Sequence, residues 1–210
     1  MKLRLFLAVV AGTTAVVSTP VQAQTRLEFT PHLGMYFPLK PAVREASPPL
    51  TMRQVTSLVL GGGFALNSKK FSVEVKADYS PSQVATTDNS RTFDTNGGIM
   101  FASAKALMKF GPYKPKTPEL QLGVGAGMIS RFGKAWSGYS GGKTDPALVL
   151  AFGGRYPMGQ WLPLNVKVEI ENYISHVQFG PAGSVGTTKH LNHDTVWSVG
   201  FEMPLTGPDN

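Results

Sequence analysis

The segment 162–175, with the sequence LPLNVKVEIENYIS, is the feature that most constrains the fold. Leucine, valine or isoleucine occupies positions 162, 164, 166, 168, 170 and 174, and polar or charged residues occupy the odd positions from 165. This period of two predicts an extended strand, because a helix of period 3.6 would mix the two sets on every side. The segment is also long enough to cross a bilayer, which takes about 9–11 residues of tilted strand.

The same alternation recurs and predicts an all-β chain, an eight-stranded antiparallel up-and-down transmembrane β-barrel. The predicted strands are 26–37, 53–66, 70–80, 98–110, 119–131, 147–156, 162–175 and 195–205. Long polar connections at 38–51, 81–95, 132–145 and 177–193 alternate with short turns at 67–69, 111–115 and 157–161. An even strand number with long loops at one end is typical of outer-membrane barrels.

The first 23 residues predict an export signal. Lys2 and Arg4 precede an apolar run at 5–17, and Val21-Gln22-Ala23 forms a small-residue cleavage site. The expected organisation is therefore a signal peptide at 1–23, a barrel domain at 24–205 and a short tail at 206–210.

Composition argues against a disulfide-stabilised protein and against a nucleic-acid-binding one. The chain has no cysteine, so disulfides do not stabilise this exported protein. Its formal net charge is +7, and the charge falls to +5 without Lys2 and Arg4. The basic residues form no run and no nucleic-acid-binding motif, so nucleic acid is not an expected partner.

The distribution of charge predicts which face meets lipid. The apolar face of the eight strands carries no charge, as expected where an arginine or lysine costs about 2–4 kcal/mol. The polar face carries nine cations and eight carboxylates: Arg26, Arg53, Lys70, Lys76, Lys105, Lys109, Arg131, Arg155, Lys167, Glu28, Glu74, Asp78, Glu119, Glu169, Glu171, Asp194 and Glu202.

Side-chain volume leads to the same assignment. Glycine is concentrated on the polar face, for example at Gly123, Gly125 and Gly127, whereas bulky apolar residues occupy the other face. Small residues suit the crowded concave side of a narrow barrel. A soluble periplasmic barrel of lipocalin type, the alternative with this period, would need the reverse.

The pattern over 24–205 resembles the small eight-stranded outer-membrane barrels, of the type of the OmpA transmembrane domain and OmpX. Gly200, Met203 and Leu205 match the family's C-terminal insertion signal, whereas Val199 stands where the family has a polar residue. The resemblance implies a monomer in the outer membrane of a Gram-negative-type cell, inserted by the barrel-assembly machinery.

Eight strands enclose a lumen just wide enough for side chains to fill. We therefore expect an ion-pair network of Lys76, Lys105, Arg131 and Lys167 with Glu28, Glu74, Glu169 and Glu171 to plug the barrel. The predicted role is envelope structure or surface interaction. A narrow porin-like channel through these charges is the first alternative.

A lipid-modifying enzyme is another alternative, because some small barrels resembling this one act on lipid A or phospholipid acyl chains. Ser175 and His176 are the nearest candidates, but neighbouring strand residues point to opposite faces. No catalytic or cofactor-binding residue is therefore predicted, and no cofactor is expected. His190, His193 and Asp194 are three potential metal ligands within five residues. Because their spacing is loose, no metal site is predicted from them.

The long connections are the expected functional surface. Their expected partners are outer-membrane lipid and lipopolysaccharide, or an adhesion ligand of unknown chemistry. The residues that suggest this are Lys40, Arg44, Arg91, Lys134, Lys143, Lys189, Trp136 and Tyr139.

Overall fold

The computed structural model of the chain describes residues 25–46, 49–88, 91–111, 117–137, 139–140, 144–158, 164–181 and 188–205. The expected signal peptide and C-terminal tail lie outside these residues. Within them, no helix is long and apolar enough to cross a membrane.

Thirteen strands are described. In chain order they are β1 (Arg26–Pro38), β2 (Val43–Ala46), β3 (Pro49–Gln54), β4 (Ser57–Asn67), β5 (Phe71–Ser80), β6 (Gln83–Asp88), β7 (Arg91–Asn96), β8 (Gly98–Phe110), β9 (Glu119–Phe132), β10 (Tyr139–Ser140), β11 (Thr144–Pro157), β12 (Asn165–Pro181) and β13 (Thr188–Pro204).

Eight of these strands form a closed antiparallel barrel in the order β1-β4-β5-β8-β9-β11-β12-β13. Each strand pairs with its neighbour along this order, and β13 returns to pair with β1, for example at Met35 and Trp197. Closure leaves no sheet edge in the barrel wall, which is the condition for a β structure to lie in lipid. The predicted eight-stranded barrel is confirmed.

Successive side chains of each barrel strand point alternately to the outside and into the lumen, as predicted. On β5, Phe71, Val73 and Val75 are 51–58% exposed on the outside. On the same strand Glu74 and Lys76 are 3% exposed and point into the lumen. The apolar face is therefore the outer face, and the reversed, lipocalin-like assignment is wrong.

The predicted long connections contain further strands. β2, β3, β6 and β7 form a four-stranded antiparallel sheet in the order β2-β3-β6-β7. The predicted strand 53–66 is split at Val55 and Thr56, where β3 leaves the barrel wall. β12 and β13 extend far into the predicted loop 177–193 and pair up to Phe179 and Thr188.

Gly125 marks a close approach between β9 and β8. A Cβ atom there would lie 2.6 Å from Lys105 Cα and closer still to the backbone oxygen of Ala104. Gly125→Ala is expected to cost about 1–3 kcal/mol, because the backbone would have to move. The measurement is the urea midpoint of the refolded barrel.

Gly154→Ala is the matched control for that substitution. Its nearest neighbour would be the Glu119 backbone oxygen at 3.5 Å, an ordinary contact. Equal losses in the two variants would contradict the steric account of Gly125.

Candidate functional site in the lumen and the cap

The middle of the lumen holds what we call the central charge cluster. Its six members, each at most 4% exposed, are Lys76, Lys105, Lys167, Glu74, Glu169 and Glu171. Lys105 Nζ lies 2.5 Å from Glu171 Oε1 and 2.6 Å from Glu169 Oε1. Lys76 Nζ lies 2.6 Å from the other Glu171 oxygen. Three cations thus meet three carboxylates, which offsets the cost of burying each charge.

The alternation of three strands builds this cluster. Glu74 on β5 stands directly opposite Lys105 on β8, and their charged groups lie 3.0 Å apart. β12 contributes three consecutive inward positions, of which Lys167 contacts Glu74 across the lumen. The sequence predicted these residues on one face, but only barrel closure brings β12 against β5 and β8.

His32 and Asp78 extend the cluster. His32 Nε2 is in contact with Asp78 Oδ1, and both side chains are at most 4% exposed. Asp78 Oδ2 lies 3.6 Å from Lys76 Nζ. A cavity of about 10 Å³ lies beside His32 and Lys76. This is about the volume that one water molecule needs.

A second charged group lies nearer the short-turn end, where both ends of the barrel chain meet. Arg155 contacts Glu28 at 3.1 Å and Glu202 at 2.8 Å. Asn67 Nδ2 donates to Glu28 Oε2 at 2.5 Å. Strands β1, β4, β11 and β13 are tied together by these contacts.

A third charged group lies near the long-hairpin end. Arg131 bridges two carboxylates, with Asp145 at 2.7 Å and Asp194 at 2.9 Å. The Tyr36 hydroxyl donates to Asp194 Oδ1 at 2.5 Å, and Asn192 Nδ2 donates to Asp194 Oδ2 at 2.8 Å. We call Arg131, Asp145, Asn192 and Asp194 the Arg131 group.

An apolar layer separates the Arg131 group from the central charge cluster. On β13, for example, Val196 lies between Asp194 and Ser198. The Phe101 ring centroid lies 5.3 Å from that of Tyr36 and 5.0 Å from that of Tyr173. The layer consists of Tyr36, Val59, Ile99, Phe101, Ile129, Ala147, Val149, Tyr173 and Val196. This layer was not predicted, although apolar residues at inward positions were its signal.

Beyond the Arg131 group, the four-stranded sheet and a short 3-10 helix (Lys134–Trp136) cover the mouth of the barrel. We call this assembly the cap. Trp136 is 1% exposed, so it belongs to the cap interior, not to the loop surface where we expected it. The buried apolar residues of the cap and adjoining barrel are Ala42, Val43, Met52, Val84, Trp136 and Val177.

Three details of the predicted lumen are corrected. Arg53 and Lys70 are exposed, because Arg53 lies in the cap sheet and Lys70 precedes β5 in a turn. Asp145 was assigned to a loop but points inward at the start of β11. The strand was not predicted to include Asp145 because Pro146 follows it, and proline weakens a strand prediction.

The candidate catalytic pair does not form. Ser175 is 1% exposed on the lumen side of β12, whereas His176 is exposed on the outer side. His176 Nδ1 lies 3.3 Å from the backbone oxygen of His190. The opposite orientation expected for adjacent strand residues is confirmed.

The loosely spaced metal set is also dispersed. His190 Nε2 lies 3.0 Å from the Pro41 backbone oxygen, and His193 Nδ1 lies 3.3 Å from Asn172 Oδ1. Asp194 points into the lumen toward Arg131. Among the described residues, no three histidine or carboxylate side chains are grouped to bind a metal ion.

The structure describes some of the charged and aromatic side chains that were expected on the long connections. Lys40, Arg91 and Lys134 are exposed at the long-hairpin end. Lys143, together with the side chains of Arg44, Tyr139 and Lys189, lies outside the described part of the chain.

No protein-family profile and no curated protein matches the chain. Solved structures do match. The solid-state NMR structure of outer membrane protein AlkL in DMPC bilayers aligns with a TM-score of 0.58 and 15% identity, covering 92% of this chain and 96% of AlkL. The crystal structure of Neisserial surface protein A aligns with a TM-score of 0.51 and 11% identity, covering 86% and 97%.

The chain has the fold of a small outer-membrane β-barrel. At these identities the likeness establishes the fold. The closed wall and the apolar outer face of the described barrel strands agree with it, and the resemblance expected from the sequence is confirmed at the level of the fold.

Proposed function

We propose that this protein is an integral outer-membrane barrel with a structural or surface-interaction role, and that its lumen is closed by side chains. The central charge cluster carries the proposal. Its lysines and glutamates come from opposite sides of the barrel and meet at 2.5–3.0 Å, so they occupy the cross-section a solute would need.

The apolar layer and the cap support closure independently of the cluster. Hydrated ions do not enter a ring of mainly aromatic and aliphatic side chains without a desolvation cost. The cap then places Trp136 over the mouth. Three successive barriers favour the filled lumen over the narrow channel.

The surface-interaction part of the proposal rests on the outer side of the cap. Arg91, Phe93 and Asp94 of β7 are all exposed, and β7 forms one edge of the cap sheet. An exposed strand edge with an exposed aromatic residue is a feature that partner proteins use.

Conductance tests the closed lumen. Folded protein reconstituted in planar bilayers is expected to give no steady single-channel steps, whereas a general porin prepared in the same way gives them. Folding is verified by the mobility difference between unheated and boiled samples. Steady ohmic steps from the folded protein would favour the channel.

A further inference from the structure

The lumen beneath the cap contains two buried polar atoms, Ser175 Oγ and Asn192 Oδ1, that have no hydrogen-bond partner among the described residues. Both residues are 1% exposed, and they stand directly opposite each other on β12 and β13. Leaving a buried polar atom without a partner is costly, so nearly all such atoms in folded proteins bind something. These two atoms therefore mark a place where a ligand or an ordered water fits.

Strand register brings a third oxygen-bearing side chain to the same place. Ser175 stands between Asn192 on one neighbouring strand and Ala147 on the other, and Ala147 is two residues from the inward-facing Asp145. Directly opposed residues have Cβ atoms about 4.5–5.5 Å apart, and diagonal neighbours lie about 7–8 Å apart. Asn192 Nδ2 donates to Asp194 Oδ2 at 2.8 Å, which turns Asn192 Oδ1 away from that carboxylate.

The charge of the Arg131 group favours a cation at this place. Arg131 lies 2.7 Å from Asp145 Oδ2 and 2.9 Å from Asp194 Oδ2, and no other described cation lies within 4.0 Å of either carboxylate. One guanidinium and two carboxylates leave an excess of one negative charge, unlike the balanced central charge cluster. No described hydrogen bond uses Asp145 Oδ1. A buried excess of negative charge is costly unless a cation pairs with it.

We propose that Asp145 Oδ1, Ser175 Oγ and Asn192 Oδ1 form a calcium site beneath the cap. All three atoms are oxygens, which hard cations prefer, and Ca²⁺ accepts the irregular geometry and additional waters that Mg²⁺ does not. The Asp145 side chain is 9% exposed and provides the way in from solvent. With only one carboxylate oxygen in the set, we expect a Kd on the order of 10⁻⁴–10⁻³ M, as in extracellular calcium modules.

Bound calcium would join three neighbouring strands where the barrel meets the cap. Asp145 belongs to β11, Ser175 to β12 and Asn192 to β13. Val177, the next inward residue of β12 after Ser175, packs in the apolar interior of the cap. Because the site forms only in the folded barrel, calcium should raise the urea midpoint of unfolding.

The test is calorimetric titration of the full barrel, refolded without lipopolysaccharide in a zwitterionic detergent and freed of metal with a chelator. The probes are calcium chloride, magnesium chloride and sodium chloride. We expect one calcium ion per barrel and at least about tenfold weaker binding of magnesium. Asp145→Asn should weaken calcium binding at least about tenfold, since the charge of the ligand set tunes affinity. Ser175→Ala should weaken it less, because a neutral ligand is lost.

The matched control is Ser72→Ala. Ser72 is 2% exposed and its Oγ also has no partner among the described residues, but it lies near the short-turn end of β5. Unchanged calcium binding in this control supports the site, whereas a loss equal to that of Ser175→Ala would overturn it. Equal binding of calcium and magnesium would show general charge attraction instead. No calcium binding by the folded, unaltered protein up to about 10 mM would leave an ordered water only and refute the proposal.

Asn192→Asp gives a gain-of-binding test that does not depend on weakening the site. It replaces an amide oxygen with a carboxylate oxygen at the same position, so calcium should bind at least about tenfold more tightly. Without calcium, the added carboxylate beside Asp194 should lower the urea midpoint, and calcium should restore it. Calcium affinity no higher than that of the unaltered protein would show that Asn192 is not a ligand. Heat-dependent gel mobility confirms that each variant is folded.

Discussion

Replacing Lys105 with methionine is expected to lower the free energy of unfolding by about 3–5 kcal/mol. Lys105 lies within 3.0 Å of Glu74, Glu169 and Glu171 and is 2% exposed. Removing its charge leaves a buried excess of carboxylate that water cannot solvate. The measurement is the urea unfolding of the refolded barrel, followed by its heat-dependent gel mobility.

A second substitution separates lost charge balance from lost packing. Adding Glu171→Gln to Lys105→Met restores neutrality of the central charge cluster, so the double variant is expected to regain part of the lost stability. Lys69→Met, which removes an exposed lysine in a turn, serves as the control and should be close to neutral. If the double variant were less stable than Lys105→Met, the ion-pair account of this cluster would be wrong.

Placing an arginine on the outer belt is expected to cost about 2–4 kcal/mol near the bilayer midplane. Val124 is the suitable position, since it is 54% exposed near the middle of β9 and is flanked on the outer face by Leu122. Val124→Arg should lower folding yield into lipid vesicles and shift the urea midpoint downward. The cause is transfer of a guanidinium from water into hydrocarbon.

Phe93→Arg provides the comparison because Phe93 is 53% exposed, nearly the same fraction as Val124, but lies in the cap outside the barrel wall. Water surrounds position 93 in a membrane barrel, so this variant should fold almost as well as the unaltered chain. In a barrel that stays in solution, both substitutions would be tolerated alike. Comparable losses at the two positions would therefore argue against the lipid-facing belt.

The barrel itself could be predicted because the alternation that identifies each strand lies within that strand's own sequence. Alternation in each strand, as in Lys167, Glu169 and Glu171 of β12, records which side chains face lipid and which face the lumen. The physical cause is that hydrocarbon excludes charge at every outward position, so the pattern is enforced residue by residue. Strand number followed from counting these segments.

The cap could not be predicted in this way. β3 and β6 are short, polar and interrupted near Val55 and Pro81, so their sequences resemble loops. They become strands because they continue the pairing of β4 and β5 above the barrel wall. Trp136 is buried only because this sheet folds over it, a contact between segments far apart in the chain.

The amino-acid sequence by itself determined the strand count, the outer face and the residue types that fill the lumen, because a two-residue period and charge exclusion act locally. Tertiary structure decided which of those residues meet. Closure of the barrel brings Arg155 to Glu28, sets Lys105 between three carboxylates and carries Asp194 to Arg131. These contacts depend on register around the whole ring, and no single strand contains that information.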